Sequence, residues 1–188
     1  MLPVHAGASV DRASALHAYA RARLADGDGE AGVALQAYRA ALAGDPDSLN
    51  IARRSYSQGL MSGDMALAMR SALLLDREGL LPRDGTLLFL CDAFNRKDWA
   101  AAGAFTDRLA KEGNFGFLAP ILRSWIALGE GGYAPPVIDS ADRFASLGRR
   151  YLDEHVALQA LARGKLSEAE PAINRALALR TVDLAPLR

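Results

Sequence analysis

The stretch Ser62–Asp76, SGDMALAMRSALLLD, sets a glycine and an acid directly ahead of a run of Ala, Leu and Met. Gly63 marks a turn, and Asp64 is a natural N-cap, because a carboxylate accepts from the amides that a helix leaves unpaired at its start. The phrase recurs. GEAGVALQAYRAAL (29–42) and KDWAAAGAFTDRL (97–109) align with it without gaps, so Ala34, Ala68 and Ala102 stand 34 residues apart. The position three before each holds Ala31, Met65 and Trp99, and one further step reaches Tyr133, preceded by Gly131 and Gly132. GKLSEAEPAINRALAL (164–179) repeats the phrase at Ala169, one residue out of register.

A fixed period of this length sets an architecture before any local motif is weighed. It suits two helices per repeat with a turn between them, each of about 13 residues and about 20 Å long. The recurring Ala fits a point where two helix backbones approach. The spacing and the breaks predict helices at 13–26, 30–43, 48–61, 64–77, 84–96, 98–111, 117–128, from 136 to about 147, 149–163 and 168–180. Leu16, Tyr19, Ala20 and Leu24 share one face of the first. Ser167 and Glu170 have capping-box spacing ahead of the last, with Pro171 in its first turn. The fold expected is an all-α solenoid of about five helix-turn-helix repeats over 13–180. A loose arm at 1–12 precedes it and a tail at 181–188 follows.

Composition agrees. Half the residues are hydrophobic while aromatics are few, which favours closely packed helices. Basic and acidic side chains balance at 22 each, and the halves differ by only a few charges, so no footprint for nucleic acid or anionic lipid is present. No apolar run reaches the roughly 18 residues that a membrane span requires. The first ten residues lack the basic and apolar regions of an export signal. The compartment expected is the cytoplasm, or the periplasm where such a signal has been removed. The single Cys91 excludes an internal disulfide.

The phrase YRAALAGDPDS (38–48), an aromatic followed by Ala–Leu and then Asp–Pro, resembles the end of a tetratricopeptide repeat, and SGDMALA (62–68) resembles the turn between its two helices. The resemblance covers about 13–180. The chain departs from the pattern at Ala52, where a bulky residue is usual, and at Pro135–Pro136, which displace the small Ala of the fourth repeat. In that family the first helices of successive repeats line a concave face. The resemblance therefore implies inward-facing His17 and Arg21, then Asn50, Arg53 and Ser57, then Leu88, Asp92 and Asn95, then Arg123. Arginines along such a groove suit carboxylates, which guanidinium binds bidentately.

Catalytic chemistry finds no support. His5, His17 and His155 form no helical metal pair, and no cofactor is implied. Asp153, Glu154 and His155 are consecutive and point apart on a helix. Cys91 falls in the apolar LLFLCDAF and reads as a small buried hydrophobe. GEGG (129–132) has no preceding strand and no following Lys, so it is a turn and not a phosphate cradle. Trp99, Trp125 and Tyr133 read as core packing. The function expected is a scaffold or adaptor that binds a protein or peptide segment, with a small-ligand or sensor module as the alternative. TVDLAPLR (181–188) supplies no obvious polar capping helix, so association of two copies through uncapped ends is a further expectation.

Overall fold

The computed structural model describes residues 6–113, 115–139 and 145–183. All regular structure among them is helical, and helices neighbouring in sequence pack in pairs. The helices fall into two compact units, one ending at Gly85 and one beginning at Thr86. The N-terminal unit holds α1 (Ala6–Gly27), α2 (Ala31–Gly44), α3 (Leu49–Ser62) and α4 (Met65–Arg77). The C-terminal unit holds α5 (Gly85–Asn95), α6 (Trp99–Glu112), a 3-10 turn at Gly116–Leu118, α7 (Ala119–Gly129), α8 (Ala145–Ala162) and α9 (Leu166–Asp183).

The repeat is visible as geometry. Ala34, Ala68, Ala102 and Ala169 are each the fourth residue of α2, α4, α6 and α9, and all four are buried. Nine residues earlier stand Ala25, Gly59, Ala93 and Ala160, again small and again buried. Each of these four accepts a bond across the turn: from Glu30 N at 2.8 Å, Asp64 N at 2.8 Å, Asp98 N at 2.9 Å and Lys165 N at 2.8 Å. The residue before each donor is left-handed, at Gly29, Gly63, Lys97 and Gly164. A left-handed residue with this bond is the Schellman way of ending a helix, and it satisfies carbonyls that the helix leaves over. The next helix is then capped at once, since Asp64 and Asp98 accept from Leu67 N (3.1 Å) and Ala101 N (3.0 Å).

The fourth repeat makes the same turn and then departs. Gly131 is left-handed and Gly132 N donates to Ala127 O at 2.9 Å, in step with the other copies. No helix follows. Residues 132–139 carry no regular secondary structure, so the helix expected from 136 does not form among them; the two prolines favour extended backbone at Ala134 and Pro135. Ala141 and Phe144, expected on that helix, lie outside the described residues. Pro135 and Pro136 remove two successive ladder donors, and each drives its predecessor out of helical backbone. The next helix, α8, instead starts at Ala145, takes in Leu147, and runs without a break through Gly148 to the hairpin with α9.

Two other expectations change. Residues 6–12 belong to α1 and not to an arm. Ala6 and Ala8 favour helix, and the far end of α2 meets Asp11 and Arg12. A Cβ on Gly44 would stand 3.1 Å from the Asp11 carbonyl, and Arg12 pairs with Asp45 at 3.6 Å. Second, α1 buries its alanine side. Ala15, Ala22 and Ala25 face the core, whereas Leu16 and Leu24 are 67% and 71% exposed. At the other end, α9 begins at Leu166, so Ser167 lies inside the helix and is not its cap, and Pro171 is interior.

Candidate functional site

In the N-terminal unit, one wall of α1 and one of α2 enclose an open trough of about 340 Å³. Its floor is apolar, from Ala18, Val33, Ala37 and Ala40, and His17 and Arg21 stand on its α1 wall one helical turn apart. The trough exists because α2 turns Tyr38, Ala41 and Leu42 inward, which leaves the small side of the helix facing out. Tyr38 is fully buried; its hydroxyl donates to Asp26 at 3.3 Å, and burial beside that carboxylate pushes its pKa up to about 12. The phenol is therefore a fixed neutral strut holding the α1 end against α2.

Asn50, Arg53 and Ser57 lie at i, i+3 and i+7 on the exposed side of α3, so the structure brings these three together on one strip. Ser57 Oγ bonds back to Arg53 O at 3.5 Å and is turned toward its own helix. Arg21 is on the trough and not on this strip. The arginines of the unit divide by partner. Arg39 pairs with Asp64 at 2.6 Å, Arg12 with Asp45 at 3.6 Å and Arg77 with Asp47 at 3.4 Å. Arg21, Arg53, Arg54 and Arg70 hold no carboxylate among the described residues.

The C-terminal unit treats its expected site residues differently. Arg123 on α7 binds Asp107 of α6 at 2.8 Å. Asp92 on α5 binds Arg96 at 2.8 Å, while Asn95 is exposed at the end of that helix. Leu88 is half-buried. Asp92 and Arg123 are thus each satisfied by a neighbour in the same unit.

Cys91 is exposed on α5, contrary to the buried setting expected of it. The buried side of that helix is carried by Phe89, Leu90 and Ala93, which turns Cys91 outward. Trp99 packs edge-on to Phe94 at 5.6 Å in a core with Leu90, Ala102 and Ile126. Trp125 is different, since its indole donates to His155 Nδ1 at 3.1 Å. Asp153 turns away from His155 and pairs with Arg175 at 2.7 Å. No group of three or more His, Cys, Asp or Glu among the described residues is arranged to hold a metal ion, and no described helix is long and apolar enough to cross a membrane.

The sequence singles out Arg21, Arg53 and His17 but not the trough floor. Val33, Ala37 and Ala40 carry no local signal of function, because Ala and Val on a helix read only as packing. No family model matches this chain, and neither a curated protein nor a solved structure matches it.

Proposed function

We propose that the protein is a binding scaffold whose N-terminal unit holds an extended or helical segment of a partner protein, with apolar side chains in the α1–α2 trough and a carboxylate on Arg21. One observation carries this reading: an apolar trough with a guanidinium on its wall that holds no carboxylate among the described residues, in a unit whose Arg12, Arg39 and Arg77 are all ion-paired. A free arginine beside an apolar floor suits an acidic, amphipathic segment, since the charge fixes register and the floor supplies affinity. The strip of Asn50 and Arg53 on α3 offers further polar contact. The alternative, a small ligand enclosed between helices, fits an open trough less well, because such sites bury most of their ligand.

A photo-crosslinking residue at Ala40, in the intact protein, tests this. The expected result is an adduct with a protein partner that is lost in Arg21→Glu and retained in Arg77→Glu. An adduct indifferent to Arg21, or none at all, would remove the reading.

Self-association belongs to the same proposal on a separate observation: Leu16 and Leu24, two turns apart, leave one face of α1 apolar and uncovered. Light scattering on wild type and on Leu16→Glu/Leu24→Glu checks it, a smaller mass in the variant being the expected result.

A further inference from the structure

Residues 132–139 occupy the place in the fourth repeat where the second helix stands in the others, and they are held there by side chains of α7 and α8 and of the turn that follows α8. Tyr133, the residue that would open the helix, lies under Arg163, whose guanidinium carbon is 3.6 Å from the ring centroid. Arg163 is itself fixed, bonding Gln159 O at 3.3 Å and Glu168 at 2.7 Å. One residue on, the Ala134 carbonyl accepts from Ser124 Oγ at 2.5 Å. Pro136 is buried. Ile138 closes the contact over Gly148 on α8, where a Cβ would stand 3.1 Å from the isoleucine Cδ1.

The polar anchor is built from inside. Ser124 and Gln159 are both fully buried, with Gln159 Oε1 placed 3.1 Å from Ser124 Oγ and its Nε2 without a partner among the described residues. One hydroxyl proton cannot serve both carbonyl oxygens. A half-turn of the Gln159 amide sets its NH2 against Ser124 Oγ and leaves the hydroxyl proton for Ala134 O, while the amide oxygen takes the position in which Nε2 has no partner among the described residues. The result is a relay from α8 through α7 to a backbone carbonyl of the extended segment. A buried polar relay of this kind is unnecessary for packing two helices, since apolar side chains do that at lower cost. It does serve to read the backbone of an extended chain.

We infer that the α7–α8 groove is a peptide-recognition groove, which the chain keeps occupied with its own residues 133–138. A partner segment of the same chemistry displaces this strap: an aromatic ring for Arg163, a free carbonyl for Ser124, a proline pair that holds the chain extended, and a branched aliphatic side chain over Gly148. The Tyr-Ala-Pro-Pro-Val-Ile sequence of the strap is the template for that partner. Proline-containing extended segments suit such a role because little conformational entropy remains to be lost on docking. The inference concerns the C-terminal unit and stands apart from the α1–α2 trough.

The test uses the intact chain and a fluorescein-labelled peptide with the sequence of residues 131–139. Tyr133→Ala/Ile138→Ala loosens the strap and leaves every side chain of α7 and α8 in place. A groove filled in cis most of the time lowers apparent affinity by the fraction left open, so anisotropy should show binding at least about tenfold tighter in this variant than in wild type. Adding Arg163→Ala should reverse the gain. Equal affinity for both proteins, or no binding by a double variant whose helical circular dichroism matches wild type, overturns the proposal. Should the double variant lose its helical signal, wild type decides: excess unlabelled peptide must move the Tyr133 and Ile138 side-chain NMR resonances of the chain to their free-peptide values, and unmoved resonances overturn the proposal equally.

Discussion

An ideal Cβ on Gly59 would stand 2.7 Å from the backbone nitrogen of Ala68 and 3.0 Å from its Cβ. Helices α3 and α4 therefore touch backbone to backbone, at the Ala that defines the repeat. Gly59→Ala has no flexible side chain to push aside, so it must part the helices. The expected loss is about 1–3 kcal/mol, the usual range for overpacking a filled core. Chemical denaturation checks it, and Gly103→Ala, where a Cβ meets nothing within 4 Å, is the control.

Lys97 fills the turn position that Gly29, Gly63 and Gly164 fill elsewhere, with φ of 56°. A left-handed backbone costs an L-residue about 1–2 kcal/mol, part of which glycine gives back as unfolded-state entropy. Lys97→Gly should stabilise the protein by about 0.5–1 kcal/mol in thermal or chemical denaturation. The reverse change, Gly63→Ala, should destabilise it by a similar amount.

Asp64 caps α4 through Leu67 N and receives Arg39 Nε at 2.6 Å. The Arg39 hydrogen bond is the main cause that holds its carboxyl below the usual range, with the Leu67 amide adding to it. Asp64→Ala should cost about 1–2 kcal/mol at neutral pH, mostly from the cap, because Arg39 is half-exposed and the pair is screened. A depressed carboxylate contributes its stability fully above its unfolded pKa of about 3.9 and loses it as pH falls through the lower folded value. The gap between wild type and Asp64→Asn should accordingly shrink below about pH 4, as read by denaturation at stepped pH.

His155 accepts the Trp125 indole proton at Nδ1, which requires that nitrogen to be unprotonated. Burial lowers its pKa, against a weaker upward pull from Glu154. The folded protein therefore binds this proton less readily than the unfolded chain. The contribution is complete above the unfolded value of about 6.5 and erodes as pH falls below it. Thermal denaturation between about pH 7.5 and 5 should fall more steeply for wild type than for His155→Phe, which keeps a ring against Trp125 and has no proton to gain.

What the sequence by itself determined is the hairpin and its register. Asp64 and Asp98 as caps, glycines at 29, 63, 131 and 164, and the buried Ala34, Ala68, Ala102 and Ala169 are decisions made within a few residues of chain. Each depends only on backbone freedom, an accepting carboxylate or the absence of side-chain bulk, and such properties are written in order along the sequence. Even the failed helix carries its cause locally, in Pro135 and Pro136, although the helical spacing of Val137, Ile138, Ala141, Phe144 and Leu147 argues the other way.

Only the tertiary structure decided which surfaces were left over. Leu16 and Leu24 are apolar at helical spacing, yet α2 packs on the alanine side of α1, because small residues let the two backbones come closer. Arg21 and Arg123 look alike in sequence, but Asp107 reaches Arg123 and no carboxylate among the described residues reaches Arg21. Ser124 and Gln159, and likewise Tyr133 and Arg163, are far apart along the chain and meet only when the C-terminal unit folds. Pairing of this kind is a competition among every partner that folding brings within reach. No run of adjacent residues records its outcome.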